Sequence, residues 1–144
     1  MDIWSRMIVG RSMSDRMGAE LADDALKMAI ARRRPGKGCA HHGDHGSRCA
    51  SPLPGGTMRD AGVEPSMGSI SPPWDNAAME SLVGPIKAEC AHAGTFEMRE
   101  RASLEIFECI EAFYNRVRIH LAPGNLSPAE SGARHREGSA LNAA

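Results

Sequence analysis

Aromatic residues are scarce in this 144-residue chain: three Phe, two Trp and one Tyr. The length suits one domain, but the apolar supply for its core is thin. Charge of one sign is also lacking. The formal net charge is −1, which excludes a chain that is basic throughout. Long apolar runs are absent, so no transmembrane helix is expected. No apolar stretch follows a basic start, so no signal peptide is expected either. The four cysteines, Cys39, Cys49, Cys90 and Cys109, have no compact spacing. That usage leads us to expect free thiols and a cytoplasmic setting.

Backbone breakers, by contrast, are plentiful: 15 Gly and 9 Pro. That is rich, though short of a disordered composition. Positive charge is clustered, at Arg32-Arg33-Arg34 with Lys37 and again at Arg116, Arg118 and His120. Such clusters can contact phosphates or simply form a solvated face. The run from Arg32 to Gly38 lacks the Gly-x-x-x-x-Gly-Lys-Ser/Thr pattern of a phosphate loop. A basic helix end favoured by the helix dipole is the better account of it.

Hydrophobic periodicity gives a coarse order of elements. Residues 7–14 read as a strand. Ser14 or Asp15 can cap a helix over about 17–31, where Met17, Leu21, Ala25 and Met28 make one apolar face. Pro35, Gly36 and Gly38 end it, and a short strand should run into His41-His42. The breakers of residues 50–57 predict a short or damaged helix. Residues 63–67 read as an edge strand because Pro65 cannot donate to an interior ladder. Asp75 can cap a helix carrying Glu80 and Lys87, with Pro85 inside it at a cost of about 3 kcal/mol unless a kink absorbs it. The clearest helix spans about 97–118. Its stripe of Leu104, Phe107, Ile110, Tyr114 and Val117, widened by Ile106 and Phe113, predicts the best-buried helix of the chain. Beyond Pro123 the sequence turns small and polar, and residues 131–144 read as a flexible tail. Alternating strands and helices predict an α/β layer architecture.

The chemistry sits in two phrases. One is His41-His42-Gly43-Asp44-His45-Gly46-Ser47; the other is Trp74-Asp75-Asn76-Ala77-Ala78-Met79-Glu80-Ser81. Between Asp44 and Glu80 lie 35 residues, 45 to 79. Phosphoryl transfer on DNA uses two divalent ions about 4 Å apart, and hard ions such as Mg²⁺ prefer carboxylate oxygens. An Asp ending a strand and a Glu on a helix can converge on such ions. Each acid taken singly is more often a surface residue; the surrounding phrases and the spacing raise both.

These phrases resemble insertion-sequence transposases whose catalytic core is shared with retroviral integrases, the type that uses two Asp and one Glu. Further matching phrases are Ser5-Arg6-Met7-Ile8-Val9-Gly10, Lys87, Phe113-Tyr114-Asn115-Arg116 with Arg118 and His120, and Leu126-Ser127-Pro128-Ala129-Glu130. They fall in order over residues 2–130. The resemblance implies a ribonuclease H-like core, a mixed sheet flanked by helices, over residues 1–130. It implies DNA strand cleavage and strand transfer with Mg²⁺ or Mn²⁺. Asp44 matches the second catalytic Asp and Glu80 the catalytic Glu, both as metal ligands, so their carboxylates are expected within about 8 Å. Lys87, one helical face along from Glu80, matches a DNA contact. Asn76, Arg116, Arg118 and His120 are further DNA-contact candidates. The implied partners are insertion-sequence ends and target DNA, with homo-oligomers in the intact family and no membrane.

Departures from the family pattern are equally specific. No residue matches the first Asp, which the resemblance puts on a strand before residue 1. Asp2 is tempting, but its position is not catalytic in the family. Gly43, His45, Arg48 and Cys49 stand where Ser, Arg, Gln and Tyr are usual, and Gly84-Pro85 interrupts the catalytic helix. The expectation is a core lacking its first strand, N-terminally truncated and inactive alone. One alternative is a non-catalytic nucleic-acid-binding remnant. The other is a small zinc module built on Cys39, His41, His42, His45 and Cys49, which has no Cys-x-x-Cys pair and overlaps the Asp44 phrase.

Overall fold

Helix α1, Ala19–Arg33, stops where Arg34 takes a left-handed conformation, φ 46°, and returns its N–H to the Ile30 carbonyl at 2.8 Å. Pro35 then prevents continuation. The computed structural model describes residues 1–16, 18–43, 52–67, 81–90, 98–121 and 124–141. They fall into two compact units: residues 9–75 form one, and residues 1–8 with 76–144 form the other. Among the described residues no helix is long and apolar enough to cross a membrane.

In the first of these units a parallel pair of strands is joined through a helix. Strand β1, Cys39–Gly43, pairs with β2, Val63–Met67, in a register that sets Cys39 opposite Val63 and Gly43 opposite Met67. Between them runs helix α2, Pro52–Asp60, which lies against both α1 and β2. The short helix expected from the breakers is thus present. Pro52 and Pro54 fall in its first turn, where amide hydrogens have no intrahelical partner to lose. Gly62, at φ 67°, makes the turn into β2, and its carbonyl accepts the Gly38 N–H at 3.1 Å. Expected edge strand and observed β2 coincide, with Pro65 opposite His41.

The core of this unit is Leu26, Met58 and Val63, with Ile30 and Ala61 against it. The buried face of α1 is therefore set by Asp23 and Leu26, whereas Met28 of the expected stripe is 42% exposed. Asp23 can be buried because Lys27 meets it at 2.7 Å and the Thr57 hydroxyl donates to it. That links the first turns of α1 to the end of α2 through a satisfied carboxylate. Gly10 lies so close to α1 that an added Cβ would stand 2.0 Å from the Ala25 carbonyl oxygen. Only a residue without a side chain fits that approach.

The second unit holds two helical stretches that widen into π turns. Residues 81–85 are α-helical and pass into the π turn Ile86–Cys90. The change follows Pro85 directly, where the missing amide and the ring interrupt regular α hydrogen bonding. The helix Arg99–Glu108 likewise runs into a π turn, Cys109–Tyr114. Ile8, Leu82, Ile110 and Tyr114 form the core, with Met1, Ile86 and Ile106 against it. This corrects the expected stripe. Ile110 and Tyr114 are buried as predicted, but Leu104 is 57% and Phe107 39% exposed. A π turn carries more residues per turn than an α-helix, so the buried line steps by four, through residues 106, 110 and 114. A period of 3.6 over the whole segment places 104 and 107 on that line instead.

Residues 7–14 form no strand. Ile8 is instead paired by one side chain. The Asn115 Oδ1 accepts the Ile8 N–H at 2.9 Å, and the Asn115 Nδ2 donates to the Ile8 carbonyl at 3.1 Å. An amide side chain here satisfies both backbone groups as a neighbouring strand would. The helix Pro128–Leu141 runs through the stretch read from composition as a tail. It starts from a capping box: Ser127 N–H and hydroxyl both donate to the Glu130 carboxylate, at 2.9 and 2.8 Å, and the Glu130 N–H donates to Ser127 Oγ at 3.4 Å. These bonds hold the Glu130 carboxyl below its usual value. The His135 ring on this helix meets Trp4 at 4.7 Å between centroids. Cysteine usage also differs from expectation. Cys39 is free and exposed, but Cys109 is disulfide-bonded, because pairing follows proximity in the fold and not spacing in the sequence.

Candidate functional site

Three of the residues singled out from the sequence, Asp44, Asn76 and Glu80, lie outside the described residues. Strand β1 is described as far as Gly43, the residue before Asp44, and residues 81–85, directly after Glu80, are helical. The separation of Asp44 and Glu80, expected within about 8 Å, likewise falls outside the described residues.

Asp2, the tempting substitute for a first acid, is engaged in a turn. Its Oδ1 accepts the N–H of Trp4 at 3.0 Å and of Ser5 at 3.3 Å, and its Oδ2 accepts the buried Ser5 hydroxyl at 2.9 Å. This is a local turn-forming role for a short acid.

The basic candidates fall in the second unit. Lys87 is exposed on the Ile86–Cys90 π turn, and Arg116 is exposed just beyond Tyr114. Arg118 and His120 are brought together, with Arg118 Nη1 3.4 Å from His120 Nδ1. Both also touch Tyr114: the guanidinium carbon stands 5.8 Å from its ring centroid and the His120 ring meets it edge-on at 5.1 Å. Burial, aided by Arg118, pushes the His120 pKa down. His120 is therefore neutral at pH 7 and brings no charge. Its Nε2 is buried without a hydrogen-bond partner among the described residues. Burial raises the Tyr114 pKa, which keeps the phenol protonated.

One acid of this group escaped the sequence reading. Glu89, two residues after Lys87, accepts the Arg118 Nε–H with both carboxylate oxygens, at 3.0 and 3.3 Å. Its partner is 29 residues away in sequence, so no local pattern announces the pair. In the sequence Glu89 is visible only as an acid two residues after Lys87.

Of the cluster Cys39, His41, His42, His45 and Cys49, the last two lie outside the described residues. His41 and His42 alternate along β1, half-buried and exposed, and burial lowers the His41 pKa. Among the described residues no group of three His, Cys, Asp or Glu side chains could hold a metal ion.

The family described as "Integrase core domain" matches residues 80–133. The transposase for insertion sequence element IS904 of Lactococcus lactis is 39% identical over 129 residues, covering 90% of this chain and 51% of its own length. Transposase InsF for insertion sequence IS3A of Escherichia coli K12 is 39% identical over 129 residues, covering 90% of this chain and 45% of its own length. The chain thus spans about half the length of the curated relatives it matches.

Proposed function

We propose, from its similarity to insertion-sequence transposases and to an integrase core domain, that this chain is part of a DNA-transposition core of ribonuclease H-like fold. The reaction class is metal-dependent phosphoryl transfer, that is, DNA strand cleavage and strand transfer. The observation that carries this reading is the similarity over 90% of the chain, together with the Asp44 and Glu80 phrases that it includes. The mixed helical structure with its small parallel sheet is compatible with that fold.

Asp44 and Glu80 would be the metal ligands. Two carboxylates are hard oxygen donors, which suits Mg²⁺ or Mn²⁺. When bound, the ions would supply charge stabilisation for the attacking and leaving oxygens. Lys87, Arg116 and Arg118 would contribute the positive charge that draws the DNA backbone, with Asn76 and neutral His120 as hydrogen-bonding partners. The residues of the second unit then divide by role. Asn115, Ser127 and Glu130 hold the fold, while the exposed basic side chains meet the ligand.

Two carboxylates hold a two-ion site poorly. The 144-residue chain is therefore expected to bind duplex DNA without cutting or joining it. The test is fluorescence anisotropy with a labelled 30-base-pair duplex across a salt series. Binding should weaken linearly on a log–log plot, and Lys87→Ala should lower the slope by about one phosphate contact. Salt-independent binding, or none at low salt, overturns the DNA reading. Strand transfer that Asp44→Asn abolishes overturns the expected lack of turnover.

A further inference from the structure

Arg118 is held from three directions. Glu89 takes its Nε edge at 3.0 and 3.3 Å, the Tyr114 ring lies 5.8 Å from the guanidinium carbon, and His120 Nδ1 lies 3.4 Å from Nη1. An arginine on a surface turn ordinarily samples many rotamers, and that freedom must be given up when it grips a ligand. Here the restriction is built in before any ligand arrives. The hold is on the Nε edge, and among the described residues no hydrogen bond engages Nη2, whose outer hydrogen is left for a further acceptor. The pair is also not sealed away: the side chains of Arg118 and Glu89 are 25% and 36% exposed.

We propose that Glu89 is a positioning residue for DNA: it fixes Arg118 so that the outer end of the guanidinium is presented, preorganised, to a backbone phosphate. The proposal rests on the DNA reading above and assigns a role to an acid that carries no charge complementarity to DNA. Taken alone, an acid two residues from Lys87 repels phosphate. Its net value to binding comes through Arg118. A hydrogen-bond acceptor at Nε is what the hold requires, and a full negative charge is secondary.

That distinction makes the role testable. Glu89→Ala removes the acceptor, whereas the Gln in Glu89→Gln keeps an oxygen that can accept the Nε–H. In the anisotropy assay, Glu89→Ala should weaken duplex binding by about two- to tenfold, the entropic cost of immobilising one long side chain. Glu89→Gln should restore most of the loss. In an Arg118→Ala background, Glu89→Ala should no longer weaken binding. A second readout needs no DNA: the Arg118 Nε–H signal in ¹⁵N NMR should be protected from solvent exchange in the unsubstituted chain and in Glu89→Gln, and exchange freely in Glu89→Ala.

The outcomes separate cleanly. If the unsubstituted chain binds no duplex, the DNA reading fails and the proposal falls with it. If it binds and Glu89→Ala binds equally well, the positioning role alone fails. Tighter binding by both Glu89 variants would overturn it in favour of an acid that merely competes with phosphate. A fast-exchanging Arg118 Nε–H in the unsubstituted chain would show that the arginine is not held, which also overturns the proposal.

Discussion

The two units build their cores by opposite means. Around Met58, the core residues Leu26, Met58 and Val63 come from successive elements of one stretch of chain. Around Tyr114, the core joins Ile8, Leu82, Ile110 and Tyr114, and its key polar clamp links Asn115 to Ile8 across 107 residues. The first can form from neighbouring segments at small loop-closure cost. The second must bring distant segments together before any contact rewards it. Local order is cheap to write in a sequence. Distant order needs a few residues that specify one partner, such as an amide with both a donor and an acceptor.

The largest effect should come from Gly10. Its Cβ in Gly10→Ala would collide with the backbone of α1, and backbone cannot swing aside as a side chain can. Destabilisation above about 4 kcal/mol is expected, enough to abolish cooperative unfolding of residues 9–75 in hydrogen exchange. Near-parental protection in that unit would show that the approach of Gly10 to α1 does not matter.

Asn115→Ala is the matching break in the other unit. It strands the Ile8 N–H and carbonyl, two buried backbone groups at about 1–3 kcal/mol each, for an expected loss of about 2–4 kcal/mol by denaturant titration. Asn115→Asp should be damaging as well, because a carboxylate cannot donate to the Ile8 carbonyl. If Asn115→Ala unfolded at the parental midpoint, the long-range clamp would be dispensable and the contrast between the units would collapse.

Acid sharpens the same contrast. Lys27 first, then the Thr57 hydroxyl, hold the Asp23 carboxyl below its ordinary value. A depressed carboxylate stabilises the fold fully above its unfolded-state pKa of about 3.9, and that contribution fades as pH falls through the lower folded value. Stability of residues 9–75 should therefore decline below about pH 4, and Asp23→Asn should flatten that acid limb. An unchanged limb in the variant would mean that other carboxylates govern it.

Phe107→Ala should do least. The side chain is 39% exposed, so its removal should cost about 1 kcal/mol or less, well short of the 3–5 kcal/mol of a core aromatic. A core-sized loss would restore the straight α-helical stripe expected from sequence.

That stripe marks where sequence reading stops. Helix α1, the β1–β2 region, the short α2 and a long helix near residue 107 were all legible, because each is fixed by local periodicity and breakers. The π turns were not. They shift which side chains are buried without changing composition, so carrying one 3.6-residue period through the Cys109–Tyr114 π turn places Leu104 and Phe107 inward. The capping box at Ser127 and Glu130 was visible as a family phrase, yet its structural purpose emerges only from the hydrogen bonds that start the Pro128–Leu141 helix. Asn115 is similar: its phrase was noted, its partner at Ile8 was not. Of the candidate site, Lys87 and Arg116 are exposed, as a ligand contact requires. Glu89 went unseen because its partner is far along the chain. Asp44 and Glu80 rest on spacing, phrases and kinship.

Mn²⁺ binding followed by electron paramagnetic resonance tests most directly whether Asp44 and Glu80 act as one site. The 144-residue chain should bind Mn²⁺ weakly. Asp44→Asn and Glu80→Gln should each remove that binding, and the double variant should lose no more than either single one. Parental binding in both single variants, or no binding by the unsubstituted chain, would contradict a shared metal site on these two acids.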